Sequence, residues 1–265
     1  MNSHQIDYRI IGNEMQCIEI ELDPQEAVVA EAGSLMMMDS AIKMETIFGD
    51  GRAQQQSLFG KLLTAGKRVL TGESLFMTGY TNIGSTKQQV TFAAPYPGKI
   101  IPIDLTLFGG KVICQKDSFL CAAKGVSIGI EFQKKLGTGL FGGEGFIMQK
   151  LEGDGWVFVH SCGTIIERDI KPGEVLRVDT GCIVGFSQTV DYDIQFVGGI
   201  KNTLFGGEGV FFAQLAGPGK VWIQSLPFSR LAGRVLANAP GALRGGREEG
   251  SILGGLGGLL DGDNR

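Results

Sequence analysis

The chain carries two histidines, His4 and His160, and five cysteines, Cys17, Cys114, Cys121, Cys162 and Cys182. His160 and Cys162 stand two apart in the run Trp156-Val157-Phe158-Val159-His160-Ser161-Cys162. On a strand that spacing puts both side chains on one face. An imidazole beside a thiol is the pairing that lowers a cysteine pKa and makes a nucleophile. The sequence supplies its own comparison, because Gln224 and Leu226 fill the same slots 64 positions later. A slot that accepts leucine favours apolar packing, so a structural role is expected and thiolate catalysis is the alternative. The cysteines lie far apart with no Cys-x-x-Cys, so a zinc site of the usual kind would need them to converge. No metal or other cofactor is expected.

Three glutamates form a second candidate. Glu144 lies in Leu140-Phe141-Gly142-Gly143-Glu144-Gly145, which returns unchanged as Leu204-Phe205-Gly206-Gly207-Glu208-Gly209. Glu73, in Gly72-Glu73-Ser74-Leu75-Phe76, sits in a looser copy. If they faced a pseudo-threefold axis, Glu73, Glu144 and Glu208 would repel one another, or share protons or a hard cation. Facing outward, each is an exposed turn residue or takes hydrogen bonds from its own Gly-rich turn, and this reading is preferred. Met36-Met37-Met38 is a third candidate. It is either a strand buried on both faces or an adaptable apolar surface for a protein or lipid partner.

Other motifs dissolve in context. Gly137-x-Gly139-x-x-Gly142 matches a dinucleotide fingerprint, which works only between a strand and a helix. Here the strand-like Phe146–Leu151 follows, and the sister copy Lys201-Asn202-Thr203-Leu204 lacks the first two glycines, so a turn is expected. No phosphate-cradling P-loop and no Gly-x-Ser-x-Gly nucleophile elbow is present.

The elements that must position these residues are β-strands. Phe146–Leu151 matches Val210–Leu215, and Trp156–Val159 matches Lys220–Ile223, with Gly-rich links between the strands of each pair. Two apolar runs joined in this way signal a β-hairpin. A second module alternates with it: Val112–Lys116 leads to Phe119-Leu120, and Leu176–Thr180 leads to Ile183-Val184. Ile20–Pro24 leading to Ala27-Val28 reads as its first copy. The chain begins with one module and ends with the other. Pairing of the N-terminal segment 6–47 with 204–226 would therefore close a ring and leave fewer raw strand edges.

The expected fold is all-β, with three tandem antiparallel β-sandwich or double-stranded β-helix-like repeats in a closed pseudo-threefold arrangement. Residues 1–239 form this domain. Its last part, 227–239, reads as a helix with Ser229 as N-cap, Leu231, Val235 and Leu236 at helical spacing, and Pro240-Gly241 as the stop. Residues 49–67 read as a surface insertion, and 240–265 as a Gly-rich flexible tail holding Ile252, Leu253, Leu256, Leu259 and Leu260.

Composition fits this picture. Hydrophobic residues are 43% and charged residues 20%, ordinary for a globular protein. Glycine, at 42 of 265, is about double the usual ~7%, as many short strands with tight turns require. The net charge of −4 argues against a nucleic-acid surface, which needs clustered Lys and Arg. The first residues are polar, no run of 18 apolar residues occurs, and the cysteine count is odd. Reduced thiols in a cytoplasmic protein are expected.

Ala30-Glu31-Ala32-Gly33-Ser34-Leu35-Met36, Gly72–Phe76, the two Leu-Phe-Gly-Gly-Glu-Gly copies and Gln224-Ser225-Leu226 running into Ser229-Arg230-Leu231-Ala232 resemble the bacterial branch of the "altered inheritance of mitochondria, protein twenty-four" family. The resemblance covers residues 6–239. It implies a fold similar to the tryptophan RNA-binding attenuation protein, with short antiparallel strands in repeated sandwich units. It links the mitochondrial relatives to inner-membrane organisation, but this chain lacks an Arg- and Ser-rich transit peptide. It implies no catalytic residues, and likeness of fold carries over neither tryptophan nor RNA binding. The expected function is a non-enzymatic, self-associating interaction or scaffold protein, a homo-oligomer with a protein partner or contact with a membrane periphery. The alternatives are a small-molecule or lipid-binding protein using a groove between repeats, and an enzyme built on His160 and Cys162 or on the glutamates.

Overall fold

A computed structural model describes residues 3–48, 76–134, 146–196 and 211–238. Local pattern explains each strand. In Cys17–Leu22 (β2), Ile18, Ile20 and Leu22 are fully buried while Cys17, Glu19 and Glu21 are partly exposed. That is the two-residue period of a strand with one wet face. Phe119–Ala123 (β10) and Ile183–Ser187 (β16) are buried along their whole length, because each lies inside a six-stranded sheet covered on both faces.

The first repeat holds Asp7–Ile11 (β1), β2, Ala27–Glu31 (β3), Leu35–Met38 (β4), Ile42–Phe48 (β5), Phe76–Asn82 (β6) and Gln88–Ala93 (β7). The second holds Gly98–Asp104 (β8), Lys111–Gln115 (β9), β10, Ser127–Lys134 (β11), Phe146–Glu152 (β12) and Trp156–Cys162 (β13). The third holds Ile165–Ile170 (β14), Val175–Asp179 (β15), β16, Asp191–Phe196 (β17), Phe211–Ala216 (β18) and Gly219–Gln224 (β19). A helix, Phe228–Asn238 (α1), follows. It begins one residue before Ser229, so Ser229 lies in the first turn instead of capping it. Among the described residues no helix is long and apolar enough to cross a membrane.

The strands of the described residues form four antiparallel sheets, in the orders β1-β2-β7-β4, β5-β6-β3-β10-β13-β8, β11-β12-β9-β16-β19-β14 and β15-β18-β17. Each repeat divides its strands between two sheets. The six-stranded sheets straddle repeats, joined by β3 against β10 and by β9 against β16. Among the described residues three apolar cores fill the spaces. One, with Ile18, Ile20, Tyr80, Phe92 and Phe158, lies within the first repeat and its joint to the second. A central one holds Val29, Leu151, Val184 and Trp222, and a third holds Phe146, Phe186, Ile194 and Leu215.

The structure revises two expectations. The matched runs 146–151 and 156–159 are not a hairpin. β12 pairs with β11 and β9, whereas β13 pairs with β10 and β8. β18 and β19 separate in the same way. Both strands of each couple carry apolar side chains that a sandwich buries from opposite sides, so the Gly-rich link crosses between layers.

The repeat also starts one strand later than read from the sequence. Ala27–Glu31 leading to Leu35 is the counterpart of Lys111–Gln115 leading to Phe119 and of Val175–Asp179 leading to Ile183, each with the same offset. A register shift recurs at Leu35/Met37, Phe119/Cys121 and Ile183/Gly185, which fixes the correspondence.

Residues 204–210, part of the segment expected to pair with 6–47, lie outside the described residues. β1 to β5 pair with one another, with β6 and β7, and with β10, while β18 and β19 pair only within their own repeat.

Candidate functional site

The polar groups that stand out lie where the first repeat meets the second. β13 carries His160 and Cys162 with no solvent exposure. Pairing with β8 sets His160 opposite Ile100 and Cys162 opposite Gly98. Gly98 is required there, because a Cβ at this position would land on the Ser161 carbonyl oxygen. The His160 ring meets the edge of Tyr96 at a centroid distance of 4.9 Å and an interplanar angle of 67°. Neither ring nitrogen has a hydrogen-bond partner among the described residues. Loss of solvation holds the imidazole neutral and pushes its pKa down to about 4.

Tyr96 stands in the segment after β7. Its hydroxyl donates to the Asp117 carbonyl at 3.1 Å. Burial, then the negative charges of Asp117, Cys162 and Glu31, push its pKa well above the usual phenol range. Glu31 closes β3, where its carbonyl accepts from the Ser34 hydroxyl at 2.7 Å. Burial, followed by repulsion from Asp117, pushes the Glu31 carboxyl up to about 7, and Lys116 opposes this. Glu31 can therefore gain or lose a proton near neutral pH.

The second joint has a different solution. Gln224 is buried and accepts from the Cys162 backbone N–H at 2.9 Å, and its amide donates to the Gly181 carbonyl at 2.9 Å. Gln224 occupies the slot of His160, and Gly181 that of Asp117. The amide satisfies both of its ends, whereas at the first joint Tyr96 takes the carbonyl and leaves the imidazole unpartnered.

The Cys–His expectation meets this geometry directly. The two side chains share a buried strand, but no hydrogen bond links the imidazole to a thiol, and burial raises the Cys162 pKa. Burial also pushes Cys114 up to about 12 and Cys121 well above its ordinary value. These are protonated thiols with low nucleophilicity at neutral pH. Among the described residues no group of three His, Cys, Asp or Glu side chains is placed to hold a metal. Glu73, Glu144 and Glu208 lie outside the described residues.

Met36, Met37 and Met38 are the last three residues of β4, at the edge of the four-stranded sheet. They are 59%, 52% and 40% exposed. Their counterparts Leu120, Cys121 and Ala122 are 0% exposed, because β3 covers the free side of β10. The strand is therefore not buried on both faces. Sequence reasoning missed Tyr96 and the titration of Glu31. Their neighbours come from other strands, and the only local signal was Tyr96 between Pro95 and Pro97.

Comparison with known proteins gives a consistent family picture. A family model described as "Mitochondrial biogenesis AIM24" matches residues 8–226. An uncharacterized protein of Streptococcus pyogenes serotype M6 is 30% identical over 247 residues, covering 90% of this chain and 94% of that protein. The X-ray crystal structure of a Streptococcus pyogenes protein superposes with a TM-score of 0.70 at 23% identity, covering 89% of this chain and 100% of that one. At that identity the likeness concerns the fold alone.

Proposed function

Because the chain belongs to the mitochondrial biogenesis AIM24 family, we propose that it acts as the family's β-repeat frame suggests: a non-enzymatic scaffold that self-associates and presents an apolar surface to partners. The observation that carries this reading is the exposure of Met36, Met37 and Met38 on a sheet edge. Three adjacent apolar side chains in water are unfavourable, at roughly 25 cal/mol per Å² of apolar surface, and methionine adapts to varied partners. Light scattering of the purified protein over a range of concentrations tests it. A concentration-dependent rise in mass supports self-association, and a monomer throughout, with nothing retained in pull-downs, refutes it.

One observation favours a second reading, a small-molecule or lipid ligand held between repeats. The His160 imidazole is buried without a hydrogen-bond partner beside Tyr96, at the joint where Glu31 titrates. A polar ligand reaching this joint would satisfy the ring. Native mass spectrometry of freshly purified protein would show a copurifying mass. Re-adding that compound would raise the melting temperature of stripped protein.

A further inference from the structure

One face of α1 is apolar by sequence. Phe228, Leu231, Ala232, Val235 and Leu236 recur at the i, i+3, i+4, i+7, i+8 spacing of a helix stripe. At about 100° per residue they share an arc of roughly 140°. Phe228 is 52% exposed and Val235 and Leu236 are each 62% exposed, whereas Leu231 and Ala232 are half-buried. Arg230 and Arg234, one turn apart, lie on the polar side next to Leu231, and α1 contains no acidic residue. The charge bias extends past the helix. From Val221 to Arg247 the sequence holds Arg230, Arg234, Arg244 and Arg247 and not one Asp or Glu, in a chain of net charge −4. Glu248 and Glu249 come only after them, followed by the apolar Ile252, Leu253, Leu256, Leu259 and Leu260.

We propose that α1 is a membrane-surface helix that lies flat on a bilayer bearing anionic phospholipids. Phe228, Leu231, Val235 and Leu236 enter the boundary between headgroups and acyl chains, and Arg230 and Arg234 stay level with the phosphates. A helix with a strong apolar face, a basic polar face and low overall hydrophobicity takes this position. Arginine suits the border, because its stem lies along apolar surface while its head stays wet. Each basic group near an anionic leaflet adds to the attraction, and no carboxylate between Val221 and Arg247 opposes it. At 11 residues α1 is about 16 Å long, roughly half the hydrocarbon thickness of a bilayer, so it lies on the surface and does not cross. Arginines and apolar residues that continue in the sequence past the helix suit an extended anionic plane better than a protein groove one helix long. This contact involves a different segment from Met36–Met38 and does not depend on self-association.

The test is flotation of the full chain with two kinds of vesicle, phosphatidylcholine alone and phosphatidylcholine mixed with phosphatidylglycerol. Binding to the anionic vesicles should be at least about tenfold tighter and should weaken as salt is raised. Val235→Asp/Leu236→Asp removes apolar contact and adds like charge, and should lower that affinity about tenfold or more. Arg230→Gln/Arg234→Gln should lower it about tenfold and flatten the salt dependence. Circular dichroism and urea unfolding check that these variants keep the parental fold. Phe228→Trp gives a readout that needs no loss of binding: its emission should shift to the blue on anionic vesicles and be quenched by lipids brominated on the acyl chain. Met36→Ser/Met38→Ser should bind vesicles as the parent does. Equal binding to both vesicle types, binding unchanged in Val235→Asp/Leu236→Asp, or binding lost in Met36→Ser/Met38→Ser overturns the proposal. An absence of vesicle binding also overturns it, and capture of an acidic protein through α1 would then make this face a protein interface.

Discussion

Glu31→Gln should make the protein more stable at neutral pH, and by an amount that depends on pH. The Glu31 carboxyl is pushed from 4.5 to about 7 by burial and by Asp117. Below pH 4.5 the carboxyl is protonated in both folded and unfolded chains and costs nothing. Between 4.5 and about 7 the unfolded chain ionises while the folded one keeps its proton. The unfolded state then binds fewer protons, and stability falls as pH rises. Above about 7 both forms are ionised and the penalty stays constant. At about 1.36 kcal/mol per pH unit the full cost approaches 3 kcal/mol. Residual solvent contact reduces this, and about 1–3 kcal/mol is expected. Glutamine cannot ionise, and the slot accepts it, because Gln115 closes β9 where Glu31 closes β3. Urea unfolding of both proteins at pH 4.5, 6 and 8 measures the difference. The variant should match the parent at pH 4.5 and exceed it at pH 8. A difference of constant size at all three values would show that Glu31 ionises freely in the folded state, and the burial argument would fail.

The remaining predictions probe the same joint and its supports. His160→Gln should flatten the acid limb of stability: with the folded pKa near 4 against 6.5 unfolded, the histidine's contribution is present above 6.5 and lost as pH falls towards 4, by up to about 3 kcal/mol. Urea midpoints between pH 4 and 7 read this out, and parallel curves for parent and variant would refute it. Under native conditions iodoacetamide should label Cys17 and Cys182 faster than Cys114, Cys121 and Cys162, which need unfolding first; rapid native labelling of Cys162, seen by peptide mass spectrometry, would revive the thiolate alternative. Phe158→Ala removes a fully buried ring from the first core and should cost about 3–5 kcal/mol in urea unfolding. Gly98→Ala forces a methyl onto the Ser161 carbonyl oxygen and should lower the melting temperature, whereas Gly173→Ala meets no atom and should cost only the strain of its positive φ.

What the sequence determined by itself was local and repetitive. The alternation in β2, the unbroken apolar runs of β10 and β16, the Gly-punctuated links and the terminal helix follow from side-chain period and turn chemistry. Those signals lie within a few residues of one another. The 64-residue echo likewise announced a repeated unit before any strand was placed. Tertiary structure decided which strand lies beside which. β2 and β3 are both short apolar strands, so the sequence admitted either as the first repeat's counterpart of β9. Only the bulge shared by β4, β10 and β16 resolved the slip. The same holds for the site. His160 stood out in sequence only beside Cys162, and Tyr96 and Glu31 did not stand out at all; the perturbation of all three arises from burial and charges contributed by other strands. Met36–Met38 could be core or surface until the sheet order showed that nothing among the described strands pairs with the outer side of β4. Period is a property of the chain, whereas burial depends on what the rest of the chain brings against it.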